Sequence, residues 1–210
     1  MIKKVTKHAC FIILMISISS CSKMITGIYG MKTPEEMDSN SILEYAEKYD
    51  IPTEEVYEVK KAYYVDLFTK YNTEKYEEEF KNRSQVLQVS YYNTEDGLES
   101  FHSFCNTSGF PNKRWNKTGN FDEFIPGQQA KLDQLFPLND LLEYFKPLEN
   151  TEKLNPSAYD YVVVVFWSKF MGRQSKRLIK TVQKNIKLAK NDDVKVIYVN
   201  NDNVASGIEL

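Results

Sequence analysis

Tyr161-Val162-Val163-Val164-Val165-Phe166-Trp167 is an unbroken apolar run made of β-branched and aromatic residues. A strand with one wet face alternates apolar and polar side chains, so a run without alternation predicts a central strand covered on both faces. Leu178, Val182, Ile186 and Ala189 then repeat at helical spacing, while Lys176, Arg177, Lys180, Lys184, Lys187 and Lys190 fall largely on other faces. Val194 to Val199 reads as a second buried strand. Strand, helix and strand in this order predict a βαβ unit with parallel strands and a right-handed crossover. Any further strands of the sheet are expected from upstream residues.

Leu87, Val89 and Tyr91 alternate with Gln88, Ser90 and Tyr92 and stop at Asn93-Thr94-Glu95-Asp96-Gly97, which predicts a half-buried strand and a turn. Residues Val86–Tyr92 are therefore the upstream candidate for the sheet. Before them, from Asp38, the pattern is helical: Ser41 and Glu44 have capping-box spacing, and Ile42, Tyr45, Ala46 and Tyr49 share a face. A second helix is expected from Pro52-Thr53-Glu54-Glu55, with Val56, Val59, Tyr63, Leu67 and Tyr71 as its stripe. Residues 102–128 show little period and read as a long loop. Short helical turns are expected around Leu132–Phe145, interrupted by Pro137 and closed by Pro147.

The segment Val162-Val163-Val164-Val165-Phe166-Trp167-Ser168-Lys169-Phe170-Met171-Gly172-Arg173-Gln174-Ser175-Lys176 resembles the active-site strand and helix start of the thioredoxin-like family. That family has an apolar strand ending Phe-Trp-Ala, then Cys-Gly-Pro-Cys, a basic residue and a long helix. Trp167, Ser168 and Gly172 fall where the family has Trp, Ala and Gly. The two catalytic positions fall on Met171 and Gln174. The resemblance spans Tyr159 to Asn203 and implies an α/β fold with a partial thioredoxin-like βαβ core behind a mainly helical N-terminal region. The family continues with an antiparallel strand pair and a cis-proline loop, yet no proline follows Pro156 here. A thioether cannot ionise and an amide cannot attack a disulfide, so the degenerate redox positions Met171 and Gln174 imply a scaffold without the family's thiol chemistry.

The chain opens with Lys3, Lys4 and Lys7, an apolar run from Ala9 to Ile18, and then Ser19-Ser20-Cys21, the three-part plan of a secretory signal. A helix needs ~20 apolar residues to cross a bilayer, and the run ends after about half that. Ile18-Ser19-Ser20-Cys21 resembles the lipobox of bacterial lipoprotein precursors. That resemblance implies cleavage before Cys21, lipidation of its sulfur, and a chain held to the membrane by acyl groups worth ~0.8 kcal/mol per buried methylene. Ser22 and Lys23 fit sorting to an outer membrane. The expected organisation is a signal peptide at 1–20, a membrane tether at 21–37, a helical region at 38–83 and an α/β domain at 84–210.

Once residues 1–20 leave, 24 basic residues stand against 29 acidic ones, a balance that argues against a nucleic-acid partner. Cys10 leaves with the signal and Cys21 carries lipid, so Cys105 is the remaining thiol and no Cys-x-x-Cys pair or zinc cluster forms. No cofactor or metal is expected. His102, three residues before Cys105, is the one feature suggesting a thiol nucleophile. Glu77-Glu78-Glu79, Asp122-Glu123 and Asp192-Asp193 read as solvated acids. The lysine-rich helix raises the alternative of anionic headgroups or an acidic partner. Phe110, Trp115, Phe121 and Phe124 either form a ligand-binding loop or pin that loop to the domain. The expectation is a lipid-anchored envelope protein with a binding or assembly role and an envelope protein or peptide as partner. The alternatives are an envelope thiol enzyme using Cys105, and a lipid-anchored immunity or stress protein.

Overall fold

A computed structural model describes residues 30–104, 114–132, 135–149, 154–190 and 192–207. Cys21 with its lipobox, Cys105 and Phe110 lie outside the described residues. Six strands make one mixed sheet: β1 (Val56–Val59), β2 (Gln88–Asn93), β3 (Gly97–Ser103), β4 (Phe145–Pro147), β5 (Tyr161–Trp167) and β6 (Val194–Asn200), in the order β3-β2-β5-β6-β1-β4. Six α-helices accompany it among the described residues: α1 (Ser39–Lys48), α2 (Lys61–Lys70), α3 (Glu77–Arg83), α4 (Leu138–Leu142), α5 (Arg173–Ile186) and α6 (Asp202–Ser206).

The expected βαβ unit is present as β5-α5-β6, with the strands parallel and Val163 opposite Val196. β6 also pairs in parallel with β1, Tyr57 opposite Val199. The upstream strand takes its expected place as β2, antiparallel to β5 with Val89 opposite Val165. β3 returns beside β2 as an antiparallel hairpin, and β4 closes the other edge against β1. β5 is thus flanked by strands on both sides, and residues 162–167 are buried throughout, as a run without polar alternation requires.

The two faces of β5 build two cores. Val163, Val165 and Trp167 pack with Val89, Tyr91 and Tyr198 beneath Ile42 and Ala46 of α1 and Leu178, Ile179 and Val182 of α5. Val162, Val164 and Phe166 pack with Ile197 and Val199 against Tyr63, Tyr64 and Leu67 of α2, with Phe136, Leu141 and Phe145. The sheet therefore separates α1 and α5 from α2 and α4.

Three local expectations need correction. Val56–Val59 is a strand rather than the first turn of a helix: Val56 and Val59 are 1% and 2% exposed, and the β-branched side chains are better used between the two cores. The sheet thereby reaches into 38–83, and α2 begins only after Lys60. The cap of α1 is Asp38, whose carboxylate accepts the Ser41 N–H at 2.8 Å, so Ser41 lies inside the helix. The irregular segment starts after β3, because His102 and Ser103 still pair with Val89 and Gln88.

Candidate functional site

The carboxyl ends of β5 and β6 meet at the turn leading into α5. Asp202, buried at the start of α6, accepts the Lys169 N–H at 2.6 Å, the Phe170 N–H at 3.1 Å and Asn200 Nδ2 at 2.8 Å. Burial pushes its carboxyl above the ordinary carboxylate range, and the Lys169 amide opposes that push most strongly. Ser175 Oγ donates to the Ser168 carbonyl at 2.6 Å and accepts the Ser168 N–H at 3.1 Å, closing the turn from the helix side. These polar groups serve one another, so the crevice is rigid and internally bonded.

Met171 and Gln174 sit in this turn, 2% and 1% exposed. Gly172 lies between them at φ +48°, a left-handed backbone that glycine tolerates. A Cβ there would collide with the Gly30 carbonyl oxygen, so the incoming chain crosses the turn glycine on glycine. The Lys32 N–H donates to the Phe170 carbonyl at 2.7 Å, fixing the crossing. From below, Tyr49 donates its hydroxyl to the Gly172 carbonyl at 3.2 Å and stacks edge-on against Trp167 with centroids 5.7 Å apart. Burial drives the Tyr49 phenol up to about 12, which keeps it a neutral donor. The position that the resemblance assigns to redox chemistry is therefore closed, and neither side chain in it can form a thiolate.

A groove of about 580 Å³ runs along the outer side of the same turn. Arg173, Lys176, Arg177 and Lys180 line it from α5 and Arg114 from the segment opposite, without a carboxylate among its described lining residues. Arg114, Arg173, Arg177 and Lys180 are exposed. The α5 sequence explains this: Leu178, Ile179 and Val182 are drawn into the core, so its cations face outward. Arg114 is positioned through its own segment. Trp115 and Phe121 are 1% and 4% exposed within the first core, and Asn185 Nδ2 of α5 donates to the Phe121 and Glu123 carbonyls at 3.0 and 2.8 Å. Phe124 packs edge-on against Tyr91 and Tyr161. The described aromatics thus pin the segment to the domain.

The other predicted residues fall elsewhere. His102 is buried on β3, its Nε2 3.0 Å from Ser100 Oγ and its ring 4.5 Å from that of Phe121. Burial lowers its pKa to about 4, with the Gln129 side chain opposing, so the ring is neutral near pH 7. Glu77-Glu78-Glu79 begin α3, where carboxylates favour the positive end of the helix, and Glu79 meets Lys131 at 3.1 Å. Asp122 accepts Asn116 Nδ2 at 2.6 Å, and Asp193 caps the β5 start by accepting the Asp160 N–H at 2.9 Å through its carbonyl. No group of three His, Cys, Asp or Glu placed for a metal occurs among the described residues, nor is any described helix long and apolar enough to cross a membrane. A second, apolar groove of about 730 Å³ lies on the opposite face of the sheet, where Val65 and Phe68 of α2 are 47% and 49% exposed.

No family model matches this chain, and no curated protein or solved structure matches it. Function must therefore be argued from these residues. Sequence reading identified Met171 and Gln174 but missed Gly30, Asp202 and Arg114. The only advance signal was the basic count of α5, which does not reveal a facing arginine 59 positions upstream of Arg173.

Proposed function

We propose that this protein is a lipid-anchored component of a bacterial envelope that binds rather than catalyses, on a degenerate thioredoxin-like scaffold. The carrying observation is that Met171 and Gln174, which the resemblance sets at the two redox positions, are buried where Gly30–Lys32 crosses the turn. Thiol exchange needs an ionisable, reachable sulfur paired with a second one, and that turn offers neither. The scaffold part of the reading draws support from the sheet. An antiparallel pair, which the family places after its βαβ unit, adjoins β5 here as β2–β3 but comes earlier in the chain. The anchor rests on Ile18-Ser19-Ser20-Cys21, and the site of anchoring is an envelope membrane, the outer one where Ser22-Lys23 is the sorting signal. A binding partner is sought on the exposed cationic side of α5, the strongest charge concentration beside the closed turn.

Two measurements test this reading. Cells fed labelled palmitate are expected to label the wild type and not Cys21→Ser; equal labelling, or none in either, removes the anchor. Purified wild-type protein is expected not to reduce a disulfide substrate. Turnover with Met171 and Gln174 in place overturns the non-catalytic assignment.

A further inference from the structure

We infer that the cationic groove of α5 is a docking surface for an anionic phospholipid bilayer, so that the domain lies on the membrane to which it is tethered. This rests on the lipid-anchor reading for its geometry but not for its chemistry. Arg114, Arg173, Lys176, Arg177 and Lys180 converge on one concavity. The positive end of the fourteen-residue helix α5 adds to the same field, since Gly172 caps it without a side-chain acceptor. Phosphodiester headgroups match this arrangement because they offer many anionic oxygens at once, whereas each arginine fork prefers a bidentate oxyanion.

The position of the tether selects a bilayer over a soluble anion. Gly30 touches the groove rim: a Cβ on it would stand 2.8 Å from Arg173 Nε. Nine peptide steps separate Cys21 from Gly30, a reach of at most about 30 Å at 3.3–3.6 Å per residue. A domain of this size has a radius of gyration of about 16 Å, so this tether is shorter than the domain is wide. The face carrying Gly30 and Arg173 is thus within reach of the anchoring leaflet, whereas this tether is too short to pass around the full width of the domain. The intervening residues contribute Lys23 and no acid.

Acids also stand on the elements beside α5, outside the described lining of the groove. Glu44 and Glu47 belong to α1, which flanks α5 on the side where Lys176 Nζ meets the Lys48 carbonyl at 3.3 Å. Asp50 follows α1 and is exposed, its carbonyl accepting Gln183 Nε2 at 2.8 Å. Glu35 meets Lys169 at 3.1 Å, also on the α1 side, where Lys169 Nζ lies over the Tyr45 ring, and Asp122 accepts Asn116 Nδ2 at 2.6 Å. Those acids set a limit on which part of α5 approaches the bilayer: the Arg173–Arg177–Lys180 row with Arg114.

The test is co-sedimentation of the full chain carrying Cys21→Ser, which needs no lipid of its own. Vesicles of phosphatidylcholine alone are compared with vesicles of phosphatidylcholine and phosphatidylglycerol in equal parts. Binding is expected only with the anionic vesicles, and 1 M salt, where the screening length is ~3 Å, is expected to release it. Each cation at an anionic surface is worth about a fivefold change in partition, so Arg177→Gln with Lys180→Gln should weaken binding about 25-fold. Both side chains are exposed, so the fold should be retained, as circular dichroism can verify. Lys61→Gln with Lys81→Gln removes the same charge from exposed positions on elements of the opposite side, and is expected to leave binding unchanged. Equal binding to both vesicle types, an unaffected groove variant, or an equal loss in the control overturns the inference. Displacement by inorganic pyrophosphate at matched ionic strength, with saturable binding of that anion, also overturns it in favour of a soluble ligand. Palmitate labelling of Cys21 is read separately, so a failed anchor and a failed surface give different results.

Discussion

Lowering the pH from 7 to 5 should destabilise the folded domain through one buried ring. His102 is fully buried on β3, and burial depresses its pKa from 6.5 to about 4. The unfolded chain binds this proton near pH 6.5 and the folded chain only near pH 4, so between those values the unfolded state holds more protons and stability falls as pH falls. Integrating that difference gives a loss of about 2 kcal/mol between pH 7 and 5, and about 3 kcal/mol once pH passes below the folded value. Glu55 and Asp202 act in the opposite sense: burial raises both carboxyls, so the cost of their charge is relieved as pH falls through the raised values. Asp38 and Glu79, whose carboxyls are lowered by hydrogen bonds first of all from backbone amides, lose stability only at still lower pH. His8 belongs to the expected signal peptide, so His102 is the histidine that matters once it is removed. Urea denaturation at the two pH values should show the midpoint falling by about 1 M for a slope near 2 kcal/mol/M. His102→Gln, which keeps a polar acceptor for Ser100 and cannot charge, should flatten the dependence. A variant that loses as much stability as the wild type between pH 7 and 5 would refute the assignment of the loss to His102.

Three further outcomes follow from the turn and its surroundings. Gly172→Ala should lower stability by about 2 kcal/mol or more, combining left-handed strain with the collision at Gly30, whereas Gly97→Ala, at φ +96° with open space around it, should cost only the strain. Thermal melting separates the two, and equal losses would contradict the crossing. Met171→Cys with Gln174→Cys should yield thiols that react slowly with an aromatic disulfide reagent in the folded protein and fast in urea; rapid labelling without denaturant would show that the turn is open. Asn185→Ala strips the Phe121 and Glu123 carbonyls of their donor, at a cost of about 1–3 kcal/mol, and hydrogen exchange should then rise selectively across residues 114–130. Uniform exchange across the domain would argue against a local pin.

The β5-α5-β6 unit was legible because burial on both faces leaves an unmistakable mark: seven apolar residues without a break, then a helix whose stripe and charges separate cleanly. β2 was legible through its alternation, although Gln88 and Ser90 are buried beside their apolar neighbours rather than wet, since Gln88 bonds the Arg83 carbonyl at 3.0 Å and Ser90 meets Arg83 at 3.1 Å. Val56–Val59 was illegible because Val56, Val59 and Tyr63 satisfy a helical stripe as well as a strand, and only the vacant edge of β6 decides between them. β3 was missed because Leu98, Glu99 and Ser100 make a polar edge strand with little apolar signal. The closed turn and the groove depend on contacts over long sequence separations. Gly30 meets Gly172 and Arg114 faces α5 through tertiary packing alone, and no spacing rule connects residues so far apart.

The glycine crossing also decides where mechanical load would go. Any pull transmitted along the chain to Gly30 reaches Lys32, whose amide is bonded to Phe170, three residues beyond the end of β5. Tension at the N-terminal side is thus delivered to one of the two central strands of the sheet, held by neighbours on both sides, instead of to an edge that would peel away first.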